Sequence, residues 1–226
     1  MTAIRDTRQA RLIEALAAPQ SSTRLQAALA AGTYPDDDLV DVLVTRCGVE
    51  PDFFVRDMLT WALTRCAPAT TVPRVLTELT SPTAQARSQA LHTLSKIGDR
   101  SAWAHIPRTL LHDPDDDVAR SAWRASVVLV PTDEIDSLAA ELAIELGRGD
   151  RETRRSLSRA LVALDDPVRP FLAAARSSPT DGVREHAVVT EHLLDDPDSD
   201  FAAAVDQARR VLSLTNAPVA TPDADR

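Results

Sequence analysis

The chain predicts an all-α array of stacked helix pairs, and three observations carry that expectation. Segments ending in arginine recur every 30 to 34 residues. The apolar residues behind each arginine keep the spacing of one helix face. Aromatic residues at 4% and only 6 glycines among 226 residues leave little material for a β fold.

Taken in order, residues 1–18 form an N-terminal cap, with an amphipathic helix over 4–18 that turns Leu12, Ile13 and Leu16 inward. The array follows over 19–214 as one domain of about six helix pairs. Its landmarks are Arg24, Arg56, Arg87, Arg120, Arg154 and Arg184, each preceded by turn residues such as SPTAQAR or DPDDDVAR. Positions three, seven and ten beyond the arginine are Leu59, Leu63 and Cys66, then Ala90, Leu94 and Ile97. The next two units continue with Trp123, Val127 and Val130, and with Leu157, Leu161 and Leu164. The end units are degenerate: Tyr34 and Glu191 fall on core positions, as expected where an array must present polar surface. The second helices are therefore placed at 22–31, 53–65, 83–97, 118–130, 151–164 and 182–194. First helices precede them, carrying Pro73, Pro107 and Pro170 at matched distances, which implies a shared bend or an early helical turn. From 215 onward the Pro-, Ala- and Asp-rich end has no apolar period and predicts a disordered tail.

The aspartate runs raise a choice between a metal loop and helix punctuation. HDPDDDVARSAW, at 112–123, lacks the central glycine and terminal glutamate of a calcium loop. Carboxylates directly ahead of a helical pattern supply acceptors for its first N–H groups. The runs at 36–38 and 195–200 take the same reading, and no metal site is expected.

With the DP…VR turns at 113–120, the related turn at 178–184, the first-helix prolines and the LHTLSKIGD helix end at 91–99 in view, the chain resembles the HEAT repeat family, in particular its phycocyanobilin-lyase-like type. The resemblance implies a right-handed α-solenoid whose second helices line a concave face. It also implies that Arg56, Arg87, Arg120, Arg154 and Arg184 pair with turn acids of neighbouring repeats as a structural ladder. Such repeats serve many functions, so fold alone names none.

Net charge is −9, which disfavours long-range attraction to nucleic acid or anionic membranes. Of the 25 basic residues only Lys96 is lysine, a bias that fits a GC-rich bacterial genome. Cys47 and Cys66 are too few for a disulfide framework, and no apolar run has membrane-spanning length, so a cytoplasmic chain is expected. No Gly-rich phosphate loop, HExxH helix, paired-cysteine spacing or nucleophile elbow occurs, and no cofactor is expected.

The functional expectation is a non-enzymatic scaffold or adaptor binding a protein or peptide. Positions one and five beyond the arginine, with Arg124 adjacent, put Trp61, His92, Arg124, Arg155 and Arg159 on a stripe away from the core, the residue types that dominate binding hot spots. Against it stands packing of Trp61 on a neighbouring helix. Trp123 falls in the core, and Trp103 with His105 is expected in inter-repeat packing. The alternatives are a nucleic-acid-acting protein like the HEAT-like alkylpurine DNA glycosylases, with Asp57 beside Trp61, and a lyase or chaperone for a small cofactor.

Overall fold

The computed structural model describes residues 2–215. Among them are twelve α-helices and no strand. In chain order these are α1 (Thr2–Leu16), α2 (Ser21–Thr33), α3 (Val40–Val49), α4 (Phe53–Arg65), α5 (Pro68–Thr77) and α6 (Ala84–Ile97). They continue as α7 (Asp116–Leu129), α8 (Ile135–Ile144), α9 (Arg151–Val162), α10 (Arg169–Ala175), α11 (Asp181–Asp195) and α12 (Phe201–Thr215). The six arginine-bearing helices lie within two residues of the spans expected from spacing. The tail expected from 215 onward lies, beyond Thr215, outside the described residues.

The chain divides into two compact units, Met1–Glu134 and Ile135–Arg226. In the first, α2, α4, α6 and α7 pack in succession as one layer, and α3, α5 and two short 3-10 segments (Arg100–His105 and Arg108–His112) form the other. In the second, α9, α11 and α12 pack in succession, with α8 and α10 behind them.

The apolar register explains the layering. Leu59, Leu63 and Cys66 are buried, as are Ala90, Leu94, Trp123, Val130, Leu157, Leu161 and Leu164. Trp123 is fully enclosed and donates its indole N–H to the Leu111 carbonyl at 2.8 Å, so this large ring leaves no orphan donor. Cys47 and Cys66 are free and buried, and burial pushes the Cys47 thiol up to about 12. A thiol so held is a small hydrophobe rather than a nucleophile.

Several expectations need correction. Leu16 is buried, but Ile13 is exposed and Leu12 only half-buried, because α1 packs chiefly on one helix, α2. Ile97 and Val127 are also only half-buried. Trp103 is buried, with the Arg108 guanidinium 4.1 Å above its ring, whereas His105 is exposed.

The prolines are not equivalent. Pro73 lies inside α5, Pro107 separates two 3-10 segments, and Pro170 sits in the first turn of α10. Proline disfavours the α region for the residue before it. Ile106 is accordingly extended (φ −84, ψ 112), so the first helix of that pair breaks. Pro170 instead uses the first turn, where no N–H bond is lost.

Candidate interaction surface

Aspartates build the helix starts that aim the second-helix layer. Asp52 accepts from the N–H groups of Phe54 and Val55, Asp115 from Asp117 and Val118, and Asp150 from Thr153. Each satisfies donors at the first turn and fixes where the following face points.

A second role falls to the residue before each turn proline. Glu50 Oε1 accepts the Asp52 N–H at 2.9 Å, and Asp113 Oδ1 accepts the Asp115 N–H at 3.0 Å. Ser81 Oγ accepts the Thr83 N–H at 3.3 Å and Ser178 Oγ the Thr180 N–H at 3.2 Å. All four close the same local turn, but only the carboxylates have a further oxygen to offer. With it the carboxylate holds the motif arginine of the preceding repeat through both oxygens: Arg24 grips Glu50 at 2.7 and 2.8 Å, and Arg87 grips Asp113 at 3.0 and 3.1 Å, both bidentate.

The motif arginines have a more widespread contact as well. The Nη1 group donates to carbonyls six and five residues back: Ala18 and Pro19 from Arg24, Glu50 and Pro51 from Arg56, Ser81 and Pro82 from Arg87. Among the described residues Arg184 reaches one carbonyl, that of Ser178, and pairs with Asp181 on its own helix. Arg120 pairs with Asp117 at 3.7 Å, again within one helix, and its Nε is buried without a partner. Arg154 forms neither kind of contact among the described residues. At Arg24, Arg56 and Arg87 the arginine thus clamps its own turn, and at Arg24 and Arg87, where an acid precedes the next turn proline, it also joins repeats.

In the first unit the exposed face of the second-helix layer brings Trp61, His92 and Arg124 onto successive helices. Trp61 is 37% exposed, and a methyl group at Gly32 would collide with its ring, so the indole rests directly on the α2 backbone. It is both packed on a neighbour and open to solvent. His92 is half-buried; burial lowers its pKa, Lys96 and Arg124 lower it further, and Asp57 opposes them. Arg124 is exposed and folds back along α7, donating to the Arg120 carbonyl at 3.1 Å and to Ser121 Oγ at 3.2 Å. The surrounding protein, and then Arg120, lower its pKa.

Ser88 and Ser121, one residue beyond Arg87 and Arg120, are buried and share a 2.9 Å hydrogen bond where α6 meets α7. Small side chains there let the two helices approach, and Ala125 is buried for the same reason. The exposed line on α7 consequently shifts by one residue, to Arg124. Sequence reasoning missed two members of this face. Leu29, 40% exposed, holds the fifth position beyond Arg24, as Trp61 does beyond Arg56. Phe53, 65% exposed, lies four residues before Asp57 and eight before Trp61, on the same side of α4. Register at the weaker first repeat was the signal that could have found Leu29.

In the second unit Arg155 and Arg159 line a pocket of about 410 Å³ with Val162, Leu193 and the acids Asp198 and Asp200. Arg155 is half-buried, 3.9 Å from Glu152, and its Nε has no partner. Another pocket, about 540 Å³, lies among α9, α11 and α12 and is lined by Arg151, Arg154, Val189 and Phe201 among others. Behind it His186 is buried, accepting the Gly147 N–H at Nδ1 and meeting Ser158 and the Arg154 carbonyl at Nε2. Burial holds its pKa down to about 4, and Arg154 adds to that, against the hydrogen bond to the Arg154 carbonyl.

No protein-family model matches the chain, and no curated protein matches it. Among solved structures it is similar to an engineered protein at 17% identity and TM-score 0.47, over 89% of this chain and 97% of the other. A second engineered protein aligns at 19% identity and TM-score 0.43, over 93% of this chain, which spans 63% of that protein's length. Both scores fall below 0.5, so the fold described here stands on its own helix packing. Among the described residues no helix is long and apolar enough to cross a membrane.

Proposed function

We propose that the chain is a non-enzymatic binding module of the HEAT-like kind, a right-handed solenoid that holds a protein or peptide partner on its second-helix layer. The observation that carries this reading is the exposed row of Leu29, Trp61 and His92 on successive helices of the first unit, with Asp57 and Arg124 beside it. A tryptophan set against a glycine backbone is an anchor whose rotamer freedom is already restricted, which lowers the ordering cost of binding. Arg124, with its neutral serine and carbonyl partners, keeps a full charge for a partner acid.

The test is capture from a nuclease-treated lysate, comparing the wild type with a Trp61→Ala, Arg124→Glu double variant of unchanged melting temperature. A protein retained by the wild type and lost by the variant supports the reading. Identical capture by both removes this face as the binding site. A second pair, Arg155→Glu with Arg159→Glu, asks the same of the second unit.

A further inference from the structure

Arg154 differs from Arg24 and Arg87 in a way that specifies a ligand. At the equivalent position Arg24 and Arg87 each hold a carboxylate through Nε and Nη2. The acid comes from the residue before the next turn proline, and behind Arg154 that residue is Ser178. Its hydroxyl is engaged with the Thr180 N–H and leaves no second oxygen. The turn ahead of α9 is also rebuilt: Gly147 and Gly149 take left-handed conformations (φ 87 and 68), which L side chains rarely adopt, and Gly149 stands where the other turns have a proline. Arg154 clamps no carbonyl of that turn, and its buried Nε is left without a partner.

The same side chain lines the pocket of about 540 Å³. Of the other charged groups there, Asp150 caps α9 and Glu185 is paired with Arg209 at 2.8 Å. Arg151 and Arg154 remain against Asp206. Val189, Phe201 and Val205 supply apolar walls. The pocket therefore combines a vacant arginine fork with room for a short hydrophobic body.

We propose that this pocket binds a carboxylate, gripped by Arg154 with help from Arg151, on a short apolar body resting against Val189 and Phe201. The chemistry is that of the chain's own Arg24–Glu50 and Arg87–Asp113 pairs, with the acid supplied from outside. It can be a free carboxylic acid or an acidic side chain in a peptide. The site lies in the second unit and does not depend on the Trp61 face.

The experiment follows the Arg154 Nε–H resonance by NMR, assigned by its loss in Arg154→Lys. Two probes are titrated: glutarate, and a capped tripeptide with glutamate between two apolar residues. Glutaramide and the glutamine tripeptide serve as controls. We expect a saturable downfield shift below about 10 mM with at least one acid and none with the amides. The acid that saturates at lower concentration identifies the source. Ser178→Asp, which supplies the missing carboxylate internally, is expected to show the shifted resonance without ligand and to respond to neither acid. No shift with either acid, an equal shift with the amides, or continued binding by a folded Ser178→Asp variant overturns the proposal. Should Ser178→Asp not fold, an undiminished backbone response of Arg151 and Val189 to the acids in Arg154→Lys overturns it equally.

Discussion

Arg24 and Arg154 occupy the same place in their repeats and reach opposite ends. Arg24 is buried and saturated: it holds both oxygens of Glu50 and two backbone carbonyls, while Arg46 and the Asp52 N–H complete the shell of that carboxylate. Arg154 has a buried Nε with no partner and faces a pocket. The difference teaches that the recurring arginine is not by itself a rung. One residue, acid or serine before the turn proline, decides whether the guanidinium joins two repeats or stays available.

The largest effect is expected where the saturated site is broken. Glu50 is fully buried, and Glu50→Ala leaves the Arg24 charge uncompensated, a loss of about 3–5 kcal/mol by urea unfolding. The same carboxylate sets an acid limit. Burial alone would raise its pKa, but hydrogen bonds from Arg24, the Asp52 backbone and Arg46 bring it down from 4.5 to about 2. Its contribution is therefore complete above 4.5 and is lost as pH falls toward 2.

The second unit should weaken at milder acidity. His186 is held at about 4 against an ordinary 6.5, so between those values the unfolded chain binds more protons than the folded one. Stability there is complete above 6.5 and declines as pH drops toward 4. Half-buried His92 adds a smaller slope of the same sign to the first unit. Amide exchange followed from pH 7 to 4 should show α11 losing protection before α4; the reverse order would break the contrast. His186→Leu should remove that slope and cost about 1–3 kcal/mol, because the Gly147 N–H loses its acceptor.

Gly32→Ala tests the packed half of the Trp61 face. The added methyl collides with the indole, and overpacking of about 1–3 kcal/mol is partly offset by the better helix propensity of alanine. A net loss near 1 kcal/mol is expected in thermal melts, with a shift in tryptophan emission as the ring moves. The smallest effect tests the rule itself. Ser81→Asp gives Arg56 the carboxylate that Arg24 and Arg87 already have, and should raise stability by about 0.5–1.5 kcal/mol. No gain would mean that acid identity before the proline is not what makes a rung.

Much of the fold was legible because it depends on local spacing. The arginine period placed the second helices within two residues, since helix faces repeat at 3.6, and the aspartate run at 113–117 announces the cap that the structure shows at Asp115. The prolines were not legible as a set. Whether Pro107 breaks a helix or Pro170 opens one depends on how many residues precede it in its element, and that boundary is fixed by packing. The candidate face was read in part. Trp61, His92 and Arg124 emerge on successive helices, but Ser88, Ser121 and Ala125 went inward because α6 and α7 approach closely, a distance that spacing along one helix cannot reveal.

By itself the sequence determined the spans of the arginine-bearing helices, the core stripe and, through Glu50, Ser81, Asp113 and Ser178, which turns carry an acid. All of these follow from chemistry between residues close in the chain. Only the tertiary structure decided that Trp61 rests on Gly32, that Arg24 is enclosed while Arg154 looks into a pocket, and that the chain packs as two units. Those outcomes depend on which helices meet and how closely, and such long-range contacts are set by the fit of whole faces rather than by any one spacing.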